Sequence, residues 1–278
     1  METTKRYTFR LLSLETIGIL VALVFLVPFY FVLTNSFKPF AELLANTTSL
    51  PKAASLHNYI EAWKIMSFPT VFMHSLLITV ASNLGLIIIS SMAAYRMVRV
   101  NNRLNQILFL LFVSAMIIPF ESIMIPLVKL AGNIGFLNHM WGAVLCYFGF
   151  GVSLNLFLYH GFIKSIPLEV EEAAIVDGCS TYGVFWRIVF PLLKPMTVTI
   201  VLLNSLWIWN DFLLPLLIIG GPETRTIPLA TYSFFGQYMK QWDLALAALT
   251  LGVLPIIVFF LGMQKHIIEG ITAGSIKG

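Results

Sequence analysis

The chain has 278 residues, of which 58% are hydrophobic and only 11% are Asp, Glu, Lys or Arg. Soluble domains are about half apolar and about a quarter charged, so a single water-soluble core is excluded, and the long uncharged stretches fit a bilayer instead. The net charge of +4, with no run of Lys and Arg interleaved with exposed aromatics, argues against nucleic acid; Cys146, Cys179 and five scattered histidines show no metal-ligand spacing and read as unreactive or buried groups.

Six stretches are long enough to cross a bilayer as helices: 14–34, 71–95, 105–127, 139–160, 195–219 and 244–264. Helices are required because backbone polar groups in lipid must bond within their own segment, and these runs lack the alternation of barrel strands. The expected fold class is therefore an all-α integral membrane protein, a single transmembrane domain over residues 1–278. The first stretch is of full span length with no small-residue cleavage site after it, so it reads as a retained span and not a signal peptide.

With the N-terminus inside, eleven Lys and Arg fall on inner segments and six on outer ones, and Arg96, Arg99 and Arg103 crowd the turn after span two. Positive residues favour the cytoplasm, so both termini are expected there, in the cell membrane. Residues 35–70 then face outward and 161–194 inward.

In span two, Ser75, Thr79, Ser82, Asn83 and Ser90 share one helical face. Span three carries Ser114 and Glu121, and span four Gly149, Gly151, Ser153 and Asn155. Between spans four and five, residues 165–195 read SIPLEVEEAAIVDGCSTYGVFWRIVFPLLKP. Pro167 with Glu169, Glu171 and Glu172 marks a helix start, Gly178 a stop or bend, and a second helical stretch over about 180–190 is expected to end at Pro191. On pattern alone this pair is either a partner-docking loop or an interfacial helix at the headgroups.

Span five places Asn204, Trp207 and Asp211 on one face with Asn210 beside it. Polar residues deep in a span face the interior or a water-filled path, and amides, carboxylates and aromatic faces together suit a sugar. Asn83, Glu121, Asn204, Trp207, Asn210 and Asp211 are the substrate-pathway candidates, against the alternative that such residues only join helices. The outer segment 221–243 is broken by Pro222 and Pro228 and rich in aromatics, which suits either a protein contact or an aromatic belt at the membrane surface.

Glu172-Ala173-Ala174, three residues, Gly178, nine residues, then Ile188-Val189-Phe190-Pro191 resembles the EAA loop of permease subunits in binding-protein-dependent ABC importers, with Asp177 in its usual place. Cys179 and Phe190 depart from that family's small Ala and its Leu. The run SLWIWNDFLLPLL from Ser205 to Leu217 resembles the fifth-span signature of the carbohydrate branch, the maltose-permease G subunit type, and residues 264–278 resemble that branch's tail.

The resemblance implies a chain that pairs with a second, homologous permease and two ATPase subunits. Glu171, Glu172, Ala173, Ala174, Asp177, Gly178, Ile188 and Pro191 would couple to an ATPase. Thr231, Tyr232, Phe234, Phe235 and Gln237 would contact an extracytoplasmic solute-binding protein that delivers a sugar. No phosphate loop occurs in the sequence, so ATP and Mg belong to the partners, and no cofactor, metal or catalytic residue is expected on this chain. Import of another polar metabolite such as glycerol phosphate, and a proton-coupled carrier using Glu121 and Asp211, stand as alternatives.

Overall fold

The computed structural model describes residues 9–236 and 241–275. Among the described residues there are thirteen helices and a short 3-10 turn at Pro222–Thr224. The helices are α1 (Phe9–Ser36), α2 (Phe40–Ala45), α3 (His57–Ile65), α4 (Phe68–Arg99), α5 (Arg103–Ala115), α6 (Phe120–Asn133), α7 (Met140–Ile163) and α8 (Leu168–Val176). Then come α9 (Thr181–Leu192), α10 (Lys194–Asn210), α11 (Leu213–Ile218), α12 (Ile227–Tyr232) and α13 (Trp242–Ser275).

Four helices are long and apolar enough to span a membrane unbroken: Leu11–Ser36, Phe68–Arg99, Met140–Ile163 and Trp242–Gln264. Two further pairs qualify only together, α5 with α6 across a 104° bend and α9 with α10 across a 72° bend. The stretch 105–127, expected as one spanning helix, is thus two helices that meet at a bend. Pro119 lacks an N–H and its ring collides with the carbonyl four residues back, at Ala115, where α5 ends.

The same rule breaks the stretch 195–219. Pro215 opposes the carbonyl of Asp211, and α10 ends at Asn210 with Asp211 extended (ψ 130°). The Asp211 carboxylate then accepts the Leu213 N–H at 3.0 Å and starts α11. The helix over the stretch 180–190 ends at Leu192, one residue past the expected Pro191. Pro191 cannot donate to Arg187, and the helix absorbs the loss by widening into a π-turn over Phe185–Val189 before continuing to Leu192.

The described chain divides into two compact units, Met1–Phe68 with Thr231–Val253 and Pro69–Ala230 with Leu254–Gly278. In the first, no residue in the apolar stretch of α1 is buried. Its C-terminal end is closed by polar groups instead. The buried Lys38 ammonium donates to Asn35 Oδ1 (2.8 Å) and the Asn46 carbonyl (2.9 Å), while Asn58 Nδ2 donates to the Ser36 (2.9 Å) and Lys38 (2.7 Å) carbonyls. The Ser36 carbonyl, which the helix cannot bond internally, is thereby satisfied.

In the second unit α4, α7 and α10 make the centre. A side chain at Gly151 would put its Cβ 2.7 Å from Leu86 Cδ1, and one at Gly85 would collide with the Phe148 ring, so small residues set the α4–α7 approach. Helices α7 and α10 run antiparallel, joined by Tyr147 against Trp207 at one end and Tyr159 bonded to Thr197 (2.9 Å) at the other. One cluster of buried residues gathers Ala94, Leu156, Tyr159, Ile163, Ala174, Phe185 and Leu193 beneath the α8–α9 loop. Another gathers Ile78, Ala143, Tyr147, Ile208, Leu214 and Ile218 at the other end.

Candidate functional site

Two groups of predicted residues stand at opposite ends of the second unit. At one end is the α8–α9 loop. Helix α8 closes at Asp177, and Gly178 follows with φ +85°, donating to the Ile175 carbonyl (2.9 Å), while Cys179 donates to Ala174 (3.0 Å). This paired 5→2 and 6→1 bonding is the Schellman stop, and its left-handed position suits glycine. Ser180 then caps α9 by accepting the Gly183 N–H at 3.2 Å.

The loop is tied to α4 by a buried charge pair. Glu171 is 4% exposed; its Oε1 accepts from Arg99 Nε (2.8 Å) and a terminal guanidinium nitrogen (2.6 Å), and its Oε2 from Tyr95 (2.7 Å). The same guanidinium also donates to the Ile166 carbonyl (3.0 Å). Adjacent carboxylates thus have different fates: Glu171 is consumed within the chain, while Glu172 is exposed.

Ala173, Asp177, Gly178 and Pro191 are exposed too, Ala174 is buried, and Ile188 is half-buried. Beside the exposed acids lie apolar side chains that the sequence reading did not single out, Ile175 (58% exposed), Val176 (87%) and Tyr182 (73%). Such a patch is costly in water and marks a surface that something covers. The signal was present as apolar residues on the outer side of α8, but which side faces outward depends on where Glu171 binds.

At the other end, the structure brings Trp207 and Asp211 together through a residue the sequence reading missed. Tyr147 of α7 donates to Asp211 Oδ2 at 3.0 Å, and its ring meets Trp207 edge-on, with centroids 5.4 Å apart at 89°. Trp207 keeps 40% of its surface exposed and Asp211 is half-buried, so an aromatic face and a carboxylate stand side by side at an accessible corner. Nothing in α7 alone distinguishes Tyr147 from a core tyrosine.

The other pathway candidates make no hydrogen bond to this corner among the described residues. Asn83 is buried and donates to Ser205 (3.2 Å) and the Thr79 carbonyl (3.0 Å). Asn204 is buried with its amide nitrogen unbonded. Asn210 is exposed and folds back on the Leu206 carbonyl (2.7 Å), and Glu121 is exposed in the first turn of α6. Of the outer-segment candidates, Tyr232 is 56% exposed and Phe235 is half-buried, edge-on to Trp242 (5.1 Å). Thr231 and Phe234 are buried, and Gln237 lies outside the described residues.

These features define a class: a helical, multi-pass membrane protein with an ordered two-helix loop at one end of the bundle. Comparison with known proteins gives its family. Residues 85–272 match the profile of the binding-protein-dependent transport system inner membrane component, and the chain belongs to that family as a transport permease subunit.

It is 45% identical over 264 residues to the probable starch degradation products transport system permease protein AmyC of Thermoanaerobacterium thermosulfurigenes, covering 95% of this chain and 96% of that one. It is 36% identical over 279 residues to the melibiose/raffinose/stachyose import permease protein MelC of Bacillus subtilis, covering all of both. Its fold matches a chain of a bacterial ABC transporter involved in the import of the acidic polysaccharide alginate, with a TM-score of 0.80 at 20% identity, over 94% of this chain and 99% of that one.

Proposed function

We propose that this chain is the permease subunit of an ABC importer that moves a neutral sugar or oligosaccharide into the cell. The observation that carries the reading is similarity along the whole chain to permeases named for starch degradation products and for melibiose, raffinose and stachyose. The corner formed by Trp207, Tyr147 and Asp211 supports it, since a ring face stacks on a sugar while a carboxylate accepts its hydroxyls.

In this reading each bent helix pair is one span, giving six, with both termini in the cytoplasm as the eleven-to-six charge split favours. Loop 161–194 is then cytoplasmic. Glu172 and Asp177, with exposed Ile175, Val176 and Tyr182, meet an ATPase subunit, while Ala174 and Ile188 hold the loop's inner side. Glu171 positions that surface by anchoring α8 to α4.

Two such ATPase subunits carry ATP and Mg, and a second permease completes the path. On the outer side Tyr232 and Phe235, together with Gln237, would face a delivering solute-binding protein, while Thr231 and Phe234 are buried in the chain.

The test is uptake by the assembled transporter in proteoliposomes, comparing starch-type and raffinose-type oligosaccharides. Trp207→Ala and Asp211→Asn should lower uptake and change the ratio between the two sugars while the complex stays assembled. Unchanged ratios and rates in both variants would remove this corner from the sugar path.

A further inference from the structure

Where α4 ends, α5 begins and α7 ends, the second unit holds a cavity of about 470 Å³ that the transport reading does not use. Its size falls within the range of small-ligand pockets, about 300–1,000 Å³. Arg99, Asn101, Gln106, Phe109, His160 and Lys164 line it. The polar part is rich in donors. Asn101 Oδ1 already accepts from Gln106 Nε2 (2.8 Å), which leaves the Asn101 amide hydrogens to donate.

Lys164 is exposed and, among the described residues, makes no ion pair. Arg99 commits two of its nitrogens to Glu171 and the Ile166 carbonyl, which leaves the third. The first turn of α5 contains no acid and carries Arg103, and Asn102 caps it by accepting the Asn105 N–H at 2.8 Å. The apolar part has a different neighbour. Phe109 stacks on His160 with centroids 3.8 Å apart, and α5 beyond it exposes Ile107 (55%), Leu110 (64%) and Leu111 (58%).

A cavity lined by donors and by the cations Arg99 and Lys164, with an exposed apolar stretch of α5 reaching it at Leu110, fits one molecule well. We propose that this cavity holds the phosphodiester headgroup of an anionic phospholipid, with its acyl chains along α5. Basic pockets between helices at the cytoplasmic surface recognise such headgroups electrostatically. The proposal rests on the orientation given above, which places this end of the bundle at the inner leaflet.

Native mass spectrometry of the assembled transporter, with phosphatidylglycerol and phosphatidylcholine offered in equal amounts, tests it. Wild type should retain phosphatidylglycerol preferentially. Lys164→Gln should weaken that retention about five-fold, the effect of one cation near an anionic headgroup. Lys129→Gln, on α6, removes the same charge elsewhere and should leave retention unchanged. Equal retention by wild type and Lys164→Gln, or an equal loss in Lys129→Gln, would overturn the site. A phosphate adduct forming when inorganic phosphate is added without anionic lipid would assign the pocket to a soluble anion and overturn the lipid. Labelling a cysteine at Asn102 in sealed cells separates these failures from failure of the orientation, because outside labelling would refute only the latter.

Discussion

Replacing Glu171 by alanine should loosen the whole α8–α9 loop, whereas the same change at Glu172 should leave the loop intact. Only 6% of the Glu171 side chain and 14% of the Arg99 side chain remain exposed, so their pair is buried. Without the carboxylate, Arg99 keeps one neutral acceptor, the Ile166 carbonyl, and Tyr95 loses its acceptor altogether. Removing one member of a buried pair costs about 3–5 kcal/mol, largely because the remaining charge is left uncompensated.

If α8 opens locally, its amide exchange should accelerate at least about a hundredfold by that figure. Hydrogen exchange read by mass spectrometry over residues 168–180, in detergent and without ATPase subunits, measures this directly. Adding Arg99→Ala to Glu171→Ala should recover part of the loss, because no unpaired charge remains. Exchange that is equally slow in Glu171→Ala and Glu172→Ala would refute the anchor.

Other outcomes follow from the same geometry. Gly178→Val places a branched residue at φ +85°, costing about 1–2 kcal/mol; ATP hydrolysis coupled to transport should fall while insertion into the membrane is normal, and wild-type hydrolysis would contradict this. Gly151→Leu overfills the α4–α7 contact and should destabilise the purified chain by about 1–3 kcal/mol, visible as a lower thermal midpoint. Tyr147→Phe removes the hydroxyl bonded to Asp211 and should shift sugar discrimination in uptake assays without loss of assembly. Single cysteines at Asn102 and Ser180, both exposed, should react only from the cytoplasmic side of sealed cells, and outside labelling of either would reverse the orientation.

The helical membrane class was legible from composition, and the ends of α4 and α7 fell within a few residues of the apolar stretches. The breaks at Pro119 and Pro215 were not read, because hydropathy averages over a window and Leu or Ile neighbours hide a proline's missing N–H. The i−4 rule applied to each proline would have placed both. Gly178 was read as a bend, and its left-handed backbone is why. Which of two adjacent glutamates turns inward was not legible, since successive residues stand about 100° apart on a helix and Arg99 and Tyr95 of α4 decide between them. Tyr147 was missed for a related reason: the register between α7 and α10 is a property of packing, and one sequence does not carry it.

The central claim is that transport through this chain is driven by ATP on partner subunits and supplied by a binding protein. Uptake of a labelled oligosaccharide into proteoliposomes holding both permeases and both ATPases tests it most directly. The account predicts uptake only with ATP inside and loaded binding protein outside, unaffected by dissipating the proton gradient. Uptake that persists without ATPase subunits and collapses when the proton gradient is removed would contradict it and restore a carrier built on Glu121 and Asp211.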